Sequence, residues 1–323
     1  MTRWGILGLG RIAHKFAADL LTLPNAQLVA VAASDQSRAD EFAAQYGAEH
    51  AFGTYEGLLT CPGGLDVVYV ATPHVKHHAN ALMLLNAGIA VLGEKPFAMN
   101  GGQVQEMVNL ARAKQVFLME ALWSRFMPST EFALDLLRSG AIGKVVSVKA
   151  DFGFRAPVDP AGRLFNKALG GGSLLDIGIY PLFLSYLILG KPTTVKASAT
   201  FGSTGVDEQC GMVLTYPDGQ IALLESTLQA QTDTVAVIQG ETGQIKIHSR
   251  FHEAKGLTLR RGDQMVMPFV FNRETHGYDY EAAHVMQCLT EGRTESPLWS
   301  LDDSLNLMDL LDAVGAEAGI VYE

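Results

Sequence analysis

The chain has 323 residues, 48% apolar and 18% charged, the balance of a globular protein and not of a disordered one. With 24 Lys plus Arg against 34 Asp plus Glu the net charge is −10, which argues against a nucleic-acid partner, because phosphate backbones call for basic surface. Runs such as Val67–Thr72 fall short of the roughly 20 residues of a membrane span, and three scattered cysteines, Cys61, Cys210 and Cys288, point to reduced thiols in the cytoplasm and away from a disulfide framework or a cysteine-based zinc site.

Met1–Ile6 runs straight into a strand-like segment, so the reading includes no signal peptide. Short continuous apolar runs then alternate with helical patterns. The runs are Trp4–Gly8, Leu28–Ala32, Val67–Thr72, Ile89–Leu92 and Val116–Glu120. They lack alternation, as strands covered on both faces should. Between them, Ile12–Leu21, Arg38–Tyr46, His77–Ala87 and Gln103–Ala113 repeat apolar residues at threes and fours. This order predicts an α/β fold whose N-terminal part, 1–121, is a Rossmann-type, doubly wound parallel sheet.

Gly8-Leu-Gly10-Arg-Ile-Ala13 follows the first run and opens the first helix. The first glycine permits a tight turn, the second lets backbone approach a pyrophosphate, and the alanine lets helix and strand pack closely. Gly8, Gly10, Arg11 and Ile12 are therefore assigned to a dinucleotide pyrophosphate at a helix N-terminus; the alternative is a turn that serves packing alone. Asp35 lies 22 residues past Ala13, where an acid favours the free ribose hydroxyl of NAD. Ser34, Ser37 and Arg38 beside it suit the 2′-phosphate of NADP, although Arg38 reads equally well as a surface residue. The choice between NAD and NADP stays open.

After about residue 122 the pattern changes. Lys144–Phe154 alternates, with Val146, Val148 and Ala150 on one side and Ser147, Lys149 and Asp151 on the other. Val195–Phe201, Met212–Tyr216, Ile221–Leu228, Thr234–Gln239, Gln244–His248 and Leu257–Arg261 are further strand-length segments, and Tyr216-Pro-Asp-Gly219 marks a hairpin. Helical stretches are expected at Ser173–Leu189, with Ser173 as N-cap, and at Tyr278–Glu291 and Asp302–Ala318. Strands in succession without helices between them imply an antiparallel sheet, so 122–323 reads as an α+β domain with a large, mainly antiparallel sheet.

Glu94-Lys95-Pro96 stands just after the run Ile89–Leu92 of the first domain, at the sheet edge where such folds hold their cofactor. The combination of Gly8-Leu-Gly-Arg-Ile-Ala13, Ala71-Thr-Pro-His74 and Gly93-Glu-Lys-Pro96 resembles the Gfo/Idh/MocA oxidoreductase family. Met119-Glu-Ala-Leu-Trp-Ser-Arg-Phe126, Gly170-Gly-Gly-Ser-Leu-Leu-Asp-Ile-Gly-Ile-Tyr-Pro181 and Gly277-Tyr-Asp-Tyr-Glu-Ala282 are similar to the dimeric dihydrodiol dehydrogenase branch, which includes NADP-dependent D-xylose dehydrogenases. The resemblance implies an open second sheet that binds substrate and forms a dimer or tetramer interface, with a homodimer as the expected assembly. It also implies a catalytic Lys95, an Asp176–Tyr180 pair, and Thr72, Pro73, His74, Glu94 and Lys95 near the nicotinamide ribose, with the active site between the domains. One departure stands out: NADP-using relatives carry Arg directly after the second strand, where this chain has Ser34.

The chemistry is consistent with those roles. Oxidation of an alcohol by hydride transfer needs a group that takes the hydroxyl proton. Tyr180 does so only if its pKa falls from about 10, and a cation such as Lys95 favours the phenolate. Asp176 would fix Lys95 or bind a substrate hydroxyl. Trp123, Arg125, Phe126 and Phe152 are candidate substrate-pocket residues, with core packing the equal alternative for the aromatics. His74-x-x-His77-His78 mimics a metal motif, but no third ligand accompanies it, and no metal is expected. No nucleophile elbow supports a hydrolase. The expected protein is a soluble NAD(P)-dependent dehydrogenase acting on a sugar hemiacetal or a vicinal (dihydro)diol, with no membrane or nucleic-acid partner. The alternatives are a reductase of a dicarbonyl or keto sugar and a non-catalytic dinucleotide-binding regulator.

Overall fold

Strands covered on both faces favour β-branched and apolar residues without interruption, and the first sheet is made of such segments. A computed structural model describes residues 1–262 and 265–322. Its first part runs β1 (Thr2–Leu7), α1 (Arg11–Leu20), β2 (Ala26–Ala32), α2 (Gln36–Tyr46), β3 (His50–Phe52), β4 (Val67–Val70), α3 (His74–Asn86), β5 (Ala90–Glu94), α4 (Gly101–Lys114) and β6 (Leu118–Ala121). The strands form one parallel sheet in the order β3-β2-β1-β4-β5-β6, the dinucleotide-binding order, with its switch point between β1 and β4. All five expected strands and four expected helices are present. Strand β3 escaped the sequence reading because its three half-buried residues, His-Ala-Phe, carry no apolar run.

The chain continues with α5 (Pro128–Arg138), β7 (Val145–Gly153), α6 (Ile179–Leu189), β8 (Thr194–Phe201), β9 (Asp207–Thr215), β10 (Ile221–Thr227), β11 (Ala236–Gly240), β12 (Gly243–Ile247), β13 (Gly256–Arg261) and β14 (Met265–Val270). These eight strands make a second sheet in the order β14-β13-β12-β11-β7-β10-β9-β8. Every neighbouring pair is antiparallel except β7 and β10, which run parallel. The hairpin expected at Tyr216–Gly219 joins β9 to β10, with Gly219 at φ +84°. Strand β14 lies beyond the expected segments. Val148 and Ala150 are buried as the alternation implied, but Val146 is exposed. A register shift between Gln239 and Gly240 pairs those residues with Ser147 and Val145, skipping Val146; such a bulge turns a side chain out of its row.

The helix expected from Ser173 opens with a wider π turn, Leu174–Gly178, before continuing as α6. Ser173 does not cap it. Asp207 of β9 does: its Oδ2 accepts from Leu174 N at 2.7 Å and from Ser173 Oγ at 2.9 Å. The buried Asp207 carboxylate outcompetes a local hydroxyl because a charged acceptor takes two donors at once. Residues Lys167–Leu189 are together long and apolar enough to cross a membrane, contrary to the expectation of no such run, but 78% of the apolar window is buried inside the protein.

Two helices close the chain, α7 (Tyr278–Thr290) and α8 (Leu301–Ala318). The residues form two compact units, Met1–Trp123 with Glu274–Leu305, and Ser124–Arg273 with Asn306–Glu323. The return of α7 to the first unit rests on Asp19. Its buried carboxylate, at the end of α1, accepts from the backbone N–H groups of His276 (3.0 Å), Gly277 (2.8 Å) and Tyr278 (2.9 Å), so α7 is capped by a residue more than 250 positions earlier in the chain. Phe16 stacks on Tyr69 beside it at 3.8 Å.

Candidate active site

The carboxyl edge of the parallel sheet carries the phosphate turn. Gly8 has φ +92°, and a Cβ there would lie 2.7 Å from Thr72 N and 2.8 Å from Ala71 C and O, so only glycine lets β1 turn this close to the chain leaving β4. Gly10 precedes α1 in extended conformation, and a Cβ on it would meet no atom within 4 Å. The first turn of α1, which holds Arg11 and Ile12, has no side-chain cap and no acid. Its backbone N–H groups stand without a capping side chain beside open space, an arrangement that fits a dinucleotide pyrophosphate.

Ser34, Asp35 and Arg38 lie exposed at the next turn of the edge. Asp35 is the N-cap of α2: its carboxylate accepts from Arg38 N at 3.0 Å. The Arg38 guanidinium donates to Leu9 O, inside the phosphate turn, at 3.2 Å. Further along the edge, Thr72 is buried and its Oγ1 accepts from Asn80 Nδ2 at 3.0 Å. Pro73 precedes α3, and His74 is its first residue. His77 is buried between two carbonyls, Nδ1 at 2.8 Å from Pro96 O and Nε2 at 2.7 Å from Thr72 O. Burial lowers its pKa, while the carbonyl contacts act in the opposite sense. His78 points elsewhere, to Glu106 Oε2 at 2.9 Å.

Lys95 follows β5 at half-burial, and its peptide bond to Pro96 is cis. The neighbouring Glu94 carboxylate is buried; it accepts from Tyr69 Oη and from Lys95 N. Burial and this acid together hold the Tyr69 phenol well above its ordinary pKa. Sequence reasoning passed over two further buried acids of this unit. Glu281 is fully buried, neither of its oxygens has a hydrogen-bond partner among the described residues, and burial, with Glu94 and Asp19 nearby, pushes its pKa well above the ordinary carboxylate value. Glu120, at the end of β6, is raised from 4.5 to about 7 by burial, against donors that include Trp299 Nε1 at 3.2 Å. Trp123 closes this unit by stacking on Tyr278, with ring centres 4.5 Å apart.

In the second unit the π turn carries Asp176, and Tyr180 follows in α6; both are buried. A widened turn of this kind recurs at functional sites. Asp176 pairs with Arg163 through two contacts, Oδ1 with Nη1 at 2.7 Å and Oδ2 with Nη2 at 3.2 Å. The sequence reading missed Arg163, which sits in an irregular segment without a pattern. The Tyr180 ring lies 5.5 Å from Phe152 and 5.0 Å from His252, and His252 stacks on Phe152 at 4.4 Å. Phe152 and Phe154 both pack against a buried cluster that includes Ile177 and Phe165. Arg125 is buried in an ion pair with Glu131, and Phe126 is buried beside it in sequence. Tyr180, Asp176 and Phe152 thus gather within one unit, whereas the phosphate turn, Thr72, Glu94 and Lys95 line one sheet edge of the other.

Residues 2–122 match the model of the GFO/IDH/MocA oxidoreductase family with its NAD-binding Rossmann fold, and residues 131–246 match the GFO/IDH/MocA C-terminal domain. The chain belongs to this family of NAD(P)-binding oxidoreductases, as its motifs implied. It is similar over its whole length to trans-1,2-dihydrobenzene-1,2-diol dehydrogenases: 40% identical to that of Xenopus laevis over 99% of both chains, and 36% identical to that of Homo sapiens over 99% of this chain and 98% of the other. Among solved structures, a 3-ketoreductase from Actinomadura kijaniata in complex with NADP and TDP-benzene superposes with TM-score 0.87 at 27% identity, covering 98% of both chains. An aldose–aldose oxidoreductase from Caulobacter crescentus, complexed with glycerol, gives TM-score 0.89 at 25% identity over 98% of this chain and 97% of that one.

Proposed function

We propose that this oxidoreductase oxidises a secondary alcohol of a sugar hemiacetal or a vicinal (dihydro)diol, with Tyr180 as the general acid/base and Lys95 as its cationic partner. The observation that carries the reading is that the open, uncapped phosphate turn and Lys95 stand on the same carboxyl edge of one parallel sheet. The diol dehydrogenases that are 36–40% identical over the full length support the substrate class. Gly8, Gly10, Arg11 and Ile12 hold the pyrophosphate, and Thr72, Pro73, His74, Glu94 and Lys95 serve the nicotinamide ribose. When bound, the nicotinamide accepts the hydride of the carbinol carbon. Tyr180 takes the hydroxyl proton on its phenolate oxygen, and the Lys95 ammonium favours that phenolate. Asp176, oriented by Arg163, binds a neighbouring substrate hydroxyl. Trp123, Arg125, Phe126 and Phe152 wall the substrate.

Between NAD and NADP we favour NADP, because the Arg38 guanidinium reaches the phosphate turn, where it suits a 2′-phosphate; Asp35 caps α2 through one oxygen. The reverse reaction, reduction of a keto sugar, is the second reading; the NADP-bound 3-ketoreductase neighbour favours it. The domain over 122–323 is proposed to bind substrate and to form a homodimer through its sheet, since Val213 and Leu223 pair directly on β9 and β10 and remain exposed with Ile221. Three free, buried cysteines accord with a cytoplasmic setting.

Fluorescence titration with NADPH and NADH, followed by turnover of D-xylose and cyclic trans-diols, tests the reading. NADPH binding with turnover is expected. Lys95→Ala and Tyr180→Phe are each expected to lower kcat by about 100-fold or more while dinucleotide affinity survives. Unchanged turnover in either variant removes that residue from the proton path, and an unchanged cofactor preference in Arg38→Ala removes the 2′-phosphate assignment.

A further inference from the structure

The three-residue turn Lys95-Pro96-Phe97 is held by three buried ionisable side chains of the first unit. Lys95 N donates to Glu94 Oε2 at 3.1 Å. Pro96 O faces His77 Nδ1 at 2.8 Å. The Glu120 carboxyl lies beside the Phe97 backbone N–H, which favours its charged form. Each grip is anchored on a different element: Glu94 on Tyr69 of β4, His77 on Thr72 O at 2.7 Å, and Glu120 on Trp299 Nε1 at 3.2 Å. His77 and Glu120 are each 1% exposed.

Turns are normally satisfied by backbone, water or small hydroxyls. Burying carboxyls and an imidazole for the purpose carries a desolvation penalty. The cost is concentrated around one turn, the one that presents Lys95. A neutral imidazole can donate to only one of the two carbonyls it faces, and an imidazolium to both; in either state the ring ties the chain leaving β4 to the chain leaving β5.

We infer that His77 and Glu120 are positioning residues for the Lys95 side chain, acting through the backbone of the Lys95-Pro96-Phe97 turn. The inference rests on the proposed role of Lys95. His77 and Glu120 touch the turn and not the reacting atoms.

The test is a double-mutant cycle on the full-length enzyme, with NADPH affinity read by fluorescence alongside kcat. His77→Leu is expected to lower kcat by about 100-fold, the scale of a 1 Å misplacement, with NADPH affinity changed by less than about threefold. His77→Gln, which keeps one donor, is expected to recover about a tenth of the loss or more. In a Lys95→Ala background, His77→Leu is expected to cost less than about threefold further. An additive loss in that background, or wild-type kcat in His77→Leu while Lys95→Ala is impaired, overturns the inference and leaves the role of Lys95 standing. Wild-type kcat in Lys95→Ala overturns that role itself. If His77→Leu does not fold, Glu120→Leu, which fills similar space without acceptors, carries the same cycle under the same criteria.

Discussion

Strands β4, β5 and β6 are buried at every position, whereas β10 alternates exposed and buried residues along its first four and β8 is exposed at every second place. In the first sheet a helix follows each of β1, β2, β4 and β5, and the central strands, covered on both faces, select side chains for fit. In the second, α6 packs against β7 and β10 on one face, and Val213, Ile221 and Leu223 are left outside. The contrast shows where each sheet tolerates change: nowhere along the central strands of the first, and on every second residue of the second.

The largest effect is expected at the tightest approach in the first sheet. Gly8→Ala places a Cβ 2.7 Å from Thr72 N in a residue with φ +92°, and urea unfolding should register a loss of more than about 3 kcal/mol. Gly219→Ala, at φ +84° in the second sheet's hairpin with nothing within 4 Å, should lose only about 1 kcal/mol. Equal losses would mean that backbone strain, not closeness, governs both sites.

The two sheets also share a feature that pH exposes. Burial raises Glu120 from 4.5 to about 7 in the first unit and Asp207 from 3.8 to about 6 in the second. A raised carboxyl binds its proton more tightly in the native state. Its contribution is therefore complete below the unfolded pKa and is lost as pH rises through the folded one. Between pH 4.5 and 7 Glu120 alone should remove about 3 kcal/mol. Glu120→Gln should reduce that slope in denaturant titrations, leaving the parts that belong to Asp207 and to Glu281, which burial also raises.

The smallest effect is expected on the open face. Leu223→Ser should change monomer stability by less than about 0.5 kcal/mol yet shift the mass measured by light scattering towards the monomer. A mass that stays dimeric would move the proposed interface off this face.

The parallel half was legible because its signals are local: unbroken apolar runs, helical spacing, and glycines at a strand end. The antiparallel half showed its strands but not their order, since nothing in Val145–Gly153 says that it pairs parallel with Ile221–Thr227. What escaped was long-range. Asp19 reads as an unfavourable acid at a helix C-terminus until its three backbone partners at 276–278 are seen. Ser173 had the right chemistry for a cap and lost to Asp207, 34 residues on. Arg163 had no pattern around it, yet it is the partner of Asp176. Glu120 and Glu281 sit in segments that read as strand and helix, and only burial reveals them as acids kept from water.

The return of Glu274–Leu305 to the first unit has a consequence for biosynthesis. Domains that occupy one continuous stretch fold as soon as they leave the ribosome. Here the parallel sheet emerges early, but the helix that Asp19 caps is translated more than 250 residues later, and α8 supplies residues to both units. During most of its synthesis the nascent chain therefore carries Phe16, Tyr69 and a desolvation-prone acid without their final cover. The first unit is not complete until Glu274–Leu305 is made, so a chain interrupted before that segment leaves the earliest-made sheet without part of its cover.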